Sequence, residues 1–541
     1  MSSRPTDIDV KIVHGPHIET LTPHGRVEAL AVSAGRVAGI GALEELTSTY
    51  PTANVTRMPG ELLVPGFNDA HVHPLFAAEP ELRVNLEPAT VTSTDHALHV
   101  LREKASGTPP GDWIVGAGYD VIHAPDPQLD RGLLDSVSTE HPIYVIGSTW
   151  HAAIANTPAL DAITTDPTIG DESGGYFARD GDHLTGWMFE LPHMNVAWSG
   201  SDRPDLLPAL PRPALVGALR TQHRIFNAHG ITSYTDALVT PHTWEAYRQL
   251  FKEGDPTTRA SVALWHTHRD LLDHGDFGSA NDEWLRLVGV KLMYDGAISG
   301  GTCLCSGPYA SATDTGNGIQ VMTRGDLFQI VAELHGRGIR ACVHANGDRA
   351  ISDVLDAVEH AQAARPDERL AHRIEHCSLL DDHLIARIAA TGCIPIPFSG
   401  FIYHHGDSLV SRYGAERAGR VARHRSLLAA GITVAGSSDY PCGPLDVMAG
   451  LHSMTTRVTT SGAVVGRAER VDALIALCVY SAGSAHATGE GTIKGRLAPG
   501  LLADFTVLSR DIVRNPDWFQ DCSVLATWID GREVWAAPGT I

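Results

Sequence analysis

From residue 225 onward the chain repeats one unit: a short β-branched or apolar run ending in a polar residue, a loop, then an amphipathic helix. The runs are "GITSYTDA" (230–237), "RASVALWHT" (259–267), "LVGVKLMYDG" (287–296), "GIRACVHANGD" (338–348), "HRIEHC" (372–377), "GCIPIPFSG" (392–400) and "GITVAGSSD" (431–439). With "ELLVPGFNDAHVH" (61–73) they number eight. Between them, Leu327, Ile330, Val331 and Leu334 fall at i, i+3, i+4 and i+7, as do Ile351, Val354, Leu355 and Val358, which is the spacing of a helix with one buried face. Strands alternating with helices imply a parallel sheet, and eight such units imply an α/β fold closed as a (β/α)8 TIM-like barrel; an open doubly wound sheet is the structural alternative.

About 155 residues separate the first two strands, far more than one crossover needs. This stretch has strand-like pieces of its own at 112–120 and 142–155 and glycine-rich turns in 171–190. It is expected to form an inserted α+β subdomain, about 78–210, hanging over the barrel mouth because it leaves from the C-terminal end of the first strand. Both termini differ from the middle. The segments 7–15, 28–42, 503–508 and 527–535 alternate like half-buried strands, and Asp530-Gly531 is a strong two-residue hairpin signal. The expectation is a small β-sandwich built from 1–64 and 488–541 around a barrel spanning 65–487.

Composition narrows the function. A length of 541 residues with 43% hydrophobic and 19% charged residues is that of a packed globular chain. Its 41 basic and 63 acidic residues give a net charge of −22, which repels nucleic acid and anionic lipid, so neither is expected as a partner and a small molecule is. No apolar run is long enough to span a membrane, and "MSSRPTDIDVK" lacks the apolar core of a signal peptide, so a cytoplasmic location is expected. A homodimer is left open. The eight cysteines are scattered and read as reduced thiols rather than a disulfide framework. Histidine is the unusual residue, with 29 copies, several at strand ends.

In such barrels the chemistry sits where the strands finish. The polar residues there are His71 and His73 on the first strand, Lys291 in the fourth, His344 on the fifth, His376 on the sixth and Asp439 on the eighth. In an extended segment Asp69, His71 and His73 share one face. Four neutral imidazoles and a carboxylate suit Zn²⁺ or another borderline divalent metal. An ammonium inside the apolar "GVKLMYDG" is costly to bury, but a carbamate formed from the Lys291 amine and CO₂ would be an anion able to bridge two ions. Singly, each residue has a plainer reading: a His-x-His can be a satisfied core pair, Lys291 can pair with Asp295, and Asp439 can cap a turn. Their coincidence at the ends of separate strands is what points to a site.

The motifs "VPGFNDAHVHP", "VHANGDRA", "HRIEHC", "GSSDYP" and "GRLAPGLLADFTVL" resemble the metal-dependent amidohydrolase superfamily, in particular the amidohydrolase-3 group that includes N-substituted formamide deformylases. The resemblance covers nearly the whole chain. It implies two divalent ions, His71 and His73 on one, His344 and His376 on the other, a carboxylated Lys291 bridging them, and Asp439 binding metal and moving protons. His372 competes with His376 in "HRIEHC"; the resemblance selects His376 for the metal and leaves His372 for substrate.

The activity so implied is hydrolysis of an amide-type carbon–nitrogen bond by metal-activated hydroxide, with Asp439 as general base and then general acid. N-substituted formamides or related small amides are the lead substrates. His151, in "STWHAAIANTPAL", matches a histidine of the family's insert and is the candidate to stabilise the oxyanion; a structural histidine is the alternative. Trp113, Tyr119 and Trp150 are candidates for an apolar substrate wall or for the insert's own core, and His404 and His405 lie near the expected mouth. Two further functions remain in view: a deaminase or one-metal hydrolase with an unmodified Lys291, and a non-catalytic assembly module of the same fold.

Overall fold

The computed structural model describes residues 10–121, 127–163, 174–198, 207–254, 256–273, 282–310, 316–367 and 369–539. The start of the 7–15 segment and the first residues of 171–190 lie outside them. The central sheet is made of β1 (Phe67–Val72), β2 (Ile231–Val239), β3 (Arg259–Trp265), β4 (Leu285–Met293), β5 (Ala341–Ala345), β6 (Arg373–His376) and β7 (Ile394–Ile396), paired in chain order and all parallel. Every residue of β1, β2 and β3 is buried, as expected of strands covered on both faces.

The eighth run, expected as a strand at 431–439, forms no regular strand, yet it closes the sheet. Ala435 N–H donates to Pro395 O and Ser399 N–H to Ser437 O on the β7 side, while Ala70 N–H donates to Gly436 O and Asp439 N–H to His71 O on the β1 side. Its ladder is interrupted because Gly436 N–H turns aside to Val479 O and Ser484 Oγ, and because Asp439 has φ 56°.

Helices cover the outside. In Arg324–Gly336, Thr323 caps the N-terminus by accepting from Asp326 N–H, and Leu327, Ile330, Val331 and Leu334 are the buried stripe. The helix Asp348–Ala364 buries Ile351, Val354, Leu355 and Val358 in the same way. No helix among the described residues is long and apolar enough to cross a membrane.

The long insertion carries a six-stranded sheet in which Val84–Asn85, Ile114–Tyr119 and Ile143–Gly147 are parallel and Ala152–Ala155, His183–Glu190 and Gly175–Asp180 are antiparallel. The apolar run 142–155, expected as one strand piece, is therefore a hairpin with Ala153 opposite Ile146. Its turn is made by Trp150 at φ 59°, and His151 follows directly. The two ends of the chain meet in a single eight-stranded sheet, where Leu62–Pro65 pairs antiparallel with Phe505–Leu508. The hairpin between Val524–Ile529 and Arg532–Ala536 turns at Asp530 and Gly531, both left-handed at φ 55° and 67°.

Candidate metal and catalytic site

Where β1 ends, His71 is fixed by a carboxylate on the far side of the sheet. Its Nδ1 lies 2.6 Å from Glu375 Oε2, and Glu375 also receives Arg373 Nε at 2.7 Å and Arg373 Nη2 at 2.9 Å. Facing a carboxylate, Nδ1 carries the proton, which leaves the Nε2 lone pair free. That Nε2 is buried, has no hydrogen-bond partner among the described residues, and lies 3.5 Å from Asp439 Oδ1. His73 stands between two acids, its Nδ1 3.7 Å from Asp236 Oδ1 and its Nε2 3.7 Å from Asp439 Oδ1. Asp236 is held in turn by Tyr247 OH at 2.7 Å and Leu238 N–H at 3.2 Å.

His376 and His344 complete the ring of imidazoles. His376 Nδ1 is 3.9 Å from Asp439 Oδ2, and its ring centroid lies 4.7 Å from that of His71 and 4.4 Å from that of His344. His344 Nε2 is near Gly296 O at 3.2 Å and Asn346 Nδ2 at 3.0 Å. Asp295 accepts N–H groups from Asn346, Gly347 and Leu304 at 2.9, 2.9 and 3.0 Å, so its oxygens are occupied by backbone rather than by Lys291.

Burial holds His71, His344 and His376 well below the ordinary imidazole range, with neighbouring positive groups adding to the effect. Neutral imidazoles are the ligand form. Burial raises Asp439, against the pull of His73, Lys291 and His151. Burial likewise lowers Lys291, opposed by Glu375 and Asp439. His71, His376 and Asp439 offer ligand atoms all within 4.8 Å of one another. Two nitrogens and a carboxylate oxygen, one nitrogen with no other partner, fit a borderline divalent cation.

The insertion supplies the roof. His151 Nδ1 is 2.8 Å from Glu190 Oε2, and Thr302 Oγ1 donates to Glu190 Oε1 at 2.5 Å. Burial lowers the His151 pKa, but Glu190, Asp439 and Asp295 together outweigh it and the net shift is upward. The His151 ring lies 5.4 Å from His344, and Phe76 stacks between His73 and Trp150 at centroid distances of 4.9 and 4.0 Å. Together with Thr149, Trp198, Lys291 and Met293, these residues enclose a cavity of about 20 Å³.

The structure thus brings His71, His73, Lys291, His344, His376, Asp439, His151 and Trp150 around one cavity. Trp113 and Tyr119 do not line it. Tyr119 is buried in the insertion's core with its hydroxyl accepting Leu129 N–H, and Trp113 packs against the neighbouring apolar cluster. His372 does not line the cavity either. It enters β6 from the opposite end, where its Nδ1 accepts Ala341 N–H and its Nε2 meets His335 Nδ1 at 2.9 Å. His404 and His405 are in the helix Phe401–Gly419, with His405 against Phe398 and Phe401 and His404 against Tyr403. Sequence reasoning missed Glu375, Asp236, Glu190, Phe76 and Trp198 as site residues. Asp236 had a signal, an acid near the end of a strand run; Glu190 lies inside the insertion, outside every barrel strand run.

A model of the amidohydrolase family matches residues 59–535. The chain belongs to the amidohydrolase family. As an amidohydrolase it is a hydrolytic enzyme acting on carbon–nitrogen bonds. It is 27% identical over 544 residues to the amidohydrolase named YtcJ of Bacillus subtilis (strain 168), covering 97% of this chain and 99% of that protein. It is 27% identical over 523 residues to an N-substituted formamide deformylase of Arthrobacter pascens, covering 93% of this chain and 94% of that one. A metal-dependent hydrolase from Pyrococcus horikoshii OT3 has the same fold, with a TM-score of 0.74 and 23% identity over 93% of this chain and 98% of that one.

Proposed function

We propose that this amidohydrolase cleaves the amide-type carbon–nitrogen bond of a small molecule, with N-substituted formamides as the first substrates to test. The observation that carries the reading is the convergence of four imidazoles, Asp439, Lys291 and His151 on one small buried cavity. The name of the Arthrobacter pascens relative supports the choice of formamides.

His71, His73, Lys291, His344, His376 and Asp439 are the residues that would hold divalent metal, read as two Zn²⁺ ions. Bound there, such ions supply Lewis acidity and bring the pKa of water down to ~7. Asp439, whose carboxylate is made more basic by burial, takes the proton of the attacking water and returns it to the leaving nitrogen, so that one water and one amide give one acid and one amine. His151, whose upward shift favours the doubly protonated ring, then donates Nδ1–H to Glu190 and has Nε2–H available as a donor to the carbonyl oxygen as it gains charge. Lys291 is read as a carbamate because an ammonium would oppose the cations its neighbours are arranged to hold.

One observation favours a second reading, in which one ion suffices and Lys291 stays an amine: His71, His376 and Asp439 already form a three-ligand set. The test is metal content per chain together with turnover of a panel of formamides, acetamides, ureas, cyclic imides and amino-heterocycles. Two metals per chain, an amide as the best substrate, and loss of both metal and activity in Lys291→Ala are expected. One metal in a fully active preparation would favour the second reading, and full activity after chelation would refute both.

A further inference from the structure

The space at the histidine cluster is too small for a whole substrate, and a larger chamber lies on the other side of His151. This chamber is about 310 Å³ and shares two wall residues, Thr149 and His151, with the cavity at the histidines. We propose that it receives the nitrogen-bearing half of the substrate and that it selects an aromatic ring. The inference rests on the amide-hydrolysis reading above and specifies its substrate.

The chamber's composition carries the argument. Trp187 and Phe189 line it from alternate positions of the strand His183–Glu190, so both face the same way. Their rings are nearly parallel, 5.8 Å apart at an interplanar angle of 13°, and Phe189 also stacks on Tyr176 at 4.8 Å. Trp187 Nε1–H donates to Leu129 O at 2.9 Å, which fixes the indole and satisfies its polar atom. Glu190, the carboxylate in the wall, already accepts from Thr302 on one oxygen and contacts His151 on the other. The rest of the lining is mixed, with Val121, Ala152 and Ala178 beside Gln128, Ser299 and Arg412, so the two rings are the chamber's largest apolar side chains and the feature that favours an aromatic occupant. A void of about 150 Å³ suffices for a benzene ring, so this one admits a ring with a short linker.

A second groove, about 820 Å³, also borders the site, lined by Trp265, His266, Arg269 and Gln329 among others. It shares only Met293 with the histidine cavity, whereas the chamber shares Thr149 and His151, the latter being the residue proposed above to meet the reacting carbonyl.

The experiment compares N-(2-phenylethyl) and N-(2-cyclohexylethyl) amides of the best-cleaved acyl group, using metal-loaded enzyme. The two substituents have similar apolar bulk but only one stacks. Wild-type kcat/KM should favour the phenyl compound about three- to tenfold, and Phe189→Leu should bring that ratio toward one. Calorimetric binding of 2-phenylethylamine and 2-cyclohexylethylamine gives a reading independent of turnover, so failure to cleave amides at all would count against the proposed function while this arm still tests the chamber. Equal affinity of both amines for wild type, or an unchanged preference in Phe189→Leu, would overturn the proposal. So would a lost preference in Gln329→Trp alone, which would assign the ring to the other groove.

Discussion

At the scale of single residues, the decisive contact is one that touches no substrate. Glu375 fixes which nitrogen of His71 is free, and Arg373 fixes Glu375. Replacing Glu375 by Gln keeps the shape but gives the amide one oxygen acceptor where three N–H groups now converge, so its NH₂ must face a donor. The His71 ring then loses its preferred tautomer and orientation. Glu375→Gln is expected to stay folded by circular dichroism while its metal affinity falls about 10- to 100-fold, measured by competition with a chelator. Unchanged affinity would mean that His71 is not a ligand. The residues that converge on the cavity were legible in the sequence because their types are rare at strand ends; Glu375 was quoted there only as a neighbour. Strict alternation would have turned Glu375 and His376 to opposite faces. His376 escapes that rule through its left-handed backbone, φ 67°, so both adjacent side chains reach His71.

At the scale of elements, the strands and helices followed from hydrophobic period, but the connections that aim the site did not. The turn after β5 is seated against the segment around Leu304 through Asp295, which bonds Leu304, Asn346 and Gly347 together. Gly347 has ordinary backbone angles, φ −75°, yet a Cβ there would lie 1.8 Å from Leu304 O. The glycine is required for space, not for conformation. Gly347→Ala must push these two segments apart, loosening the cradle beside His344. A loss of about 1–3 kcal/mol in urea denaturation is expected, with a fall in turnover. Gly217, inside the helix Arg212–Ala228, has nothing among the described residues within 4 Å of its would-be Cβ. Gly217→Ala should instead stabilise by about 0.5–1 kcal/mol. Equal effects at the two glycines would show that the close approach at Gly347 is not present in solution.

At the scale of the whole molecule, the repeat of strand and helix was enough to anticipate the barrel, and the strand-like termini were enough to anticipate that the two ends pair. How the terminal sheet is tied to the barrel was not legible, because that tie joins residues far apart in the chain whose types are ordinary. Arg259, the first residue of β3, places Nε 2.7 Å from Asp504 Oδ2 and Nη2 3.0 Å from Asp504 Oδ1, while its Nη1 donates to Glu283 O. Asp504 also accepts Asp530 N–H at 2.9 Å and, through its carbonyl, Gly66 N–H at 3.0 Å just before β1. Both side chains are buried, so removing one strands the other's charge away from water. Asp504→Ala is therefore expected to cost about 3–5 kcal/mol, whereas replacing both partners, Arg259→Met with Asp504→Leu, should cost clearly less than the sum of the two single changes. Chemical denaturation of the four proteins in that cycle measures the difference. Additive losses would mean that the two sheets are held together by apolar packing alone and that this ion pair only fills space between them.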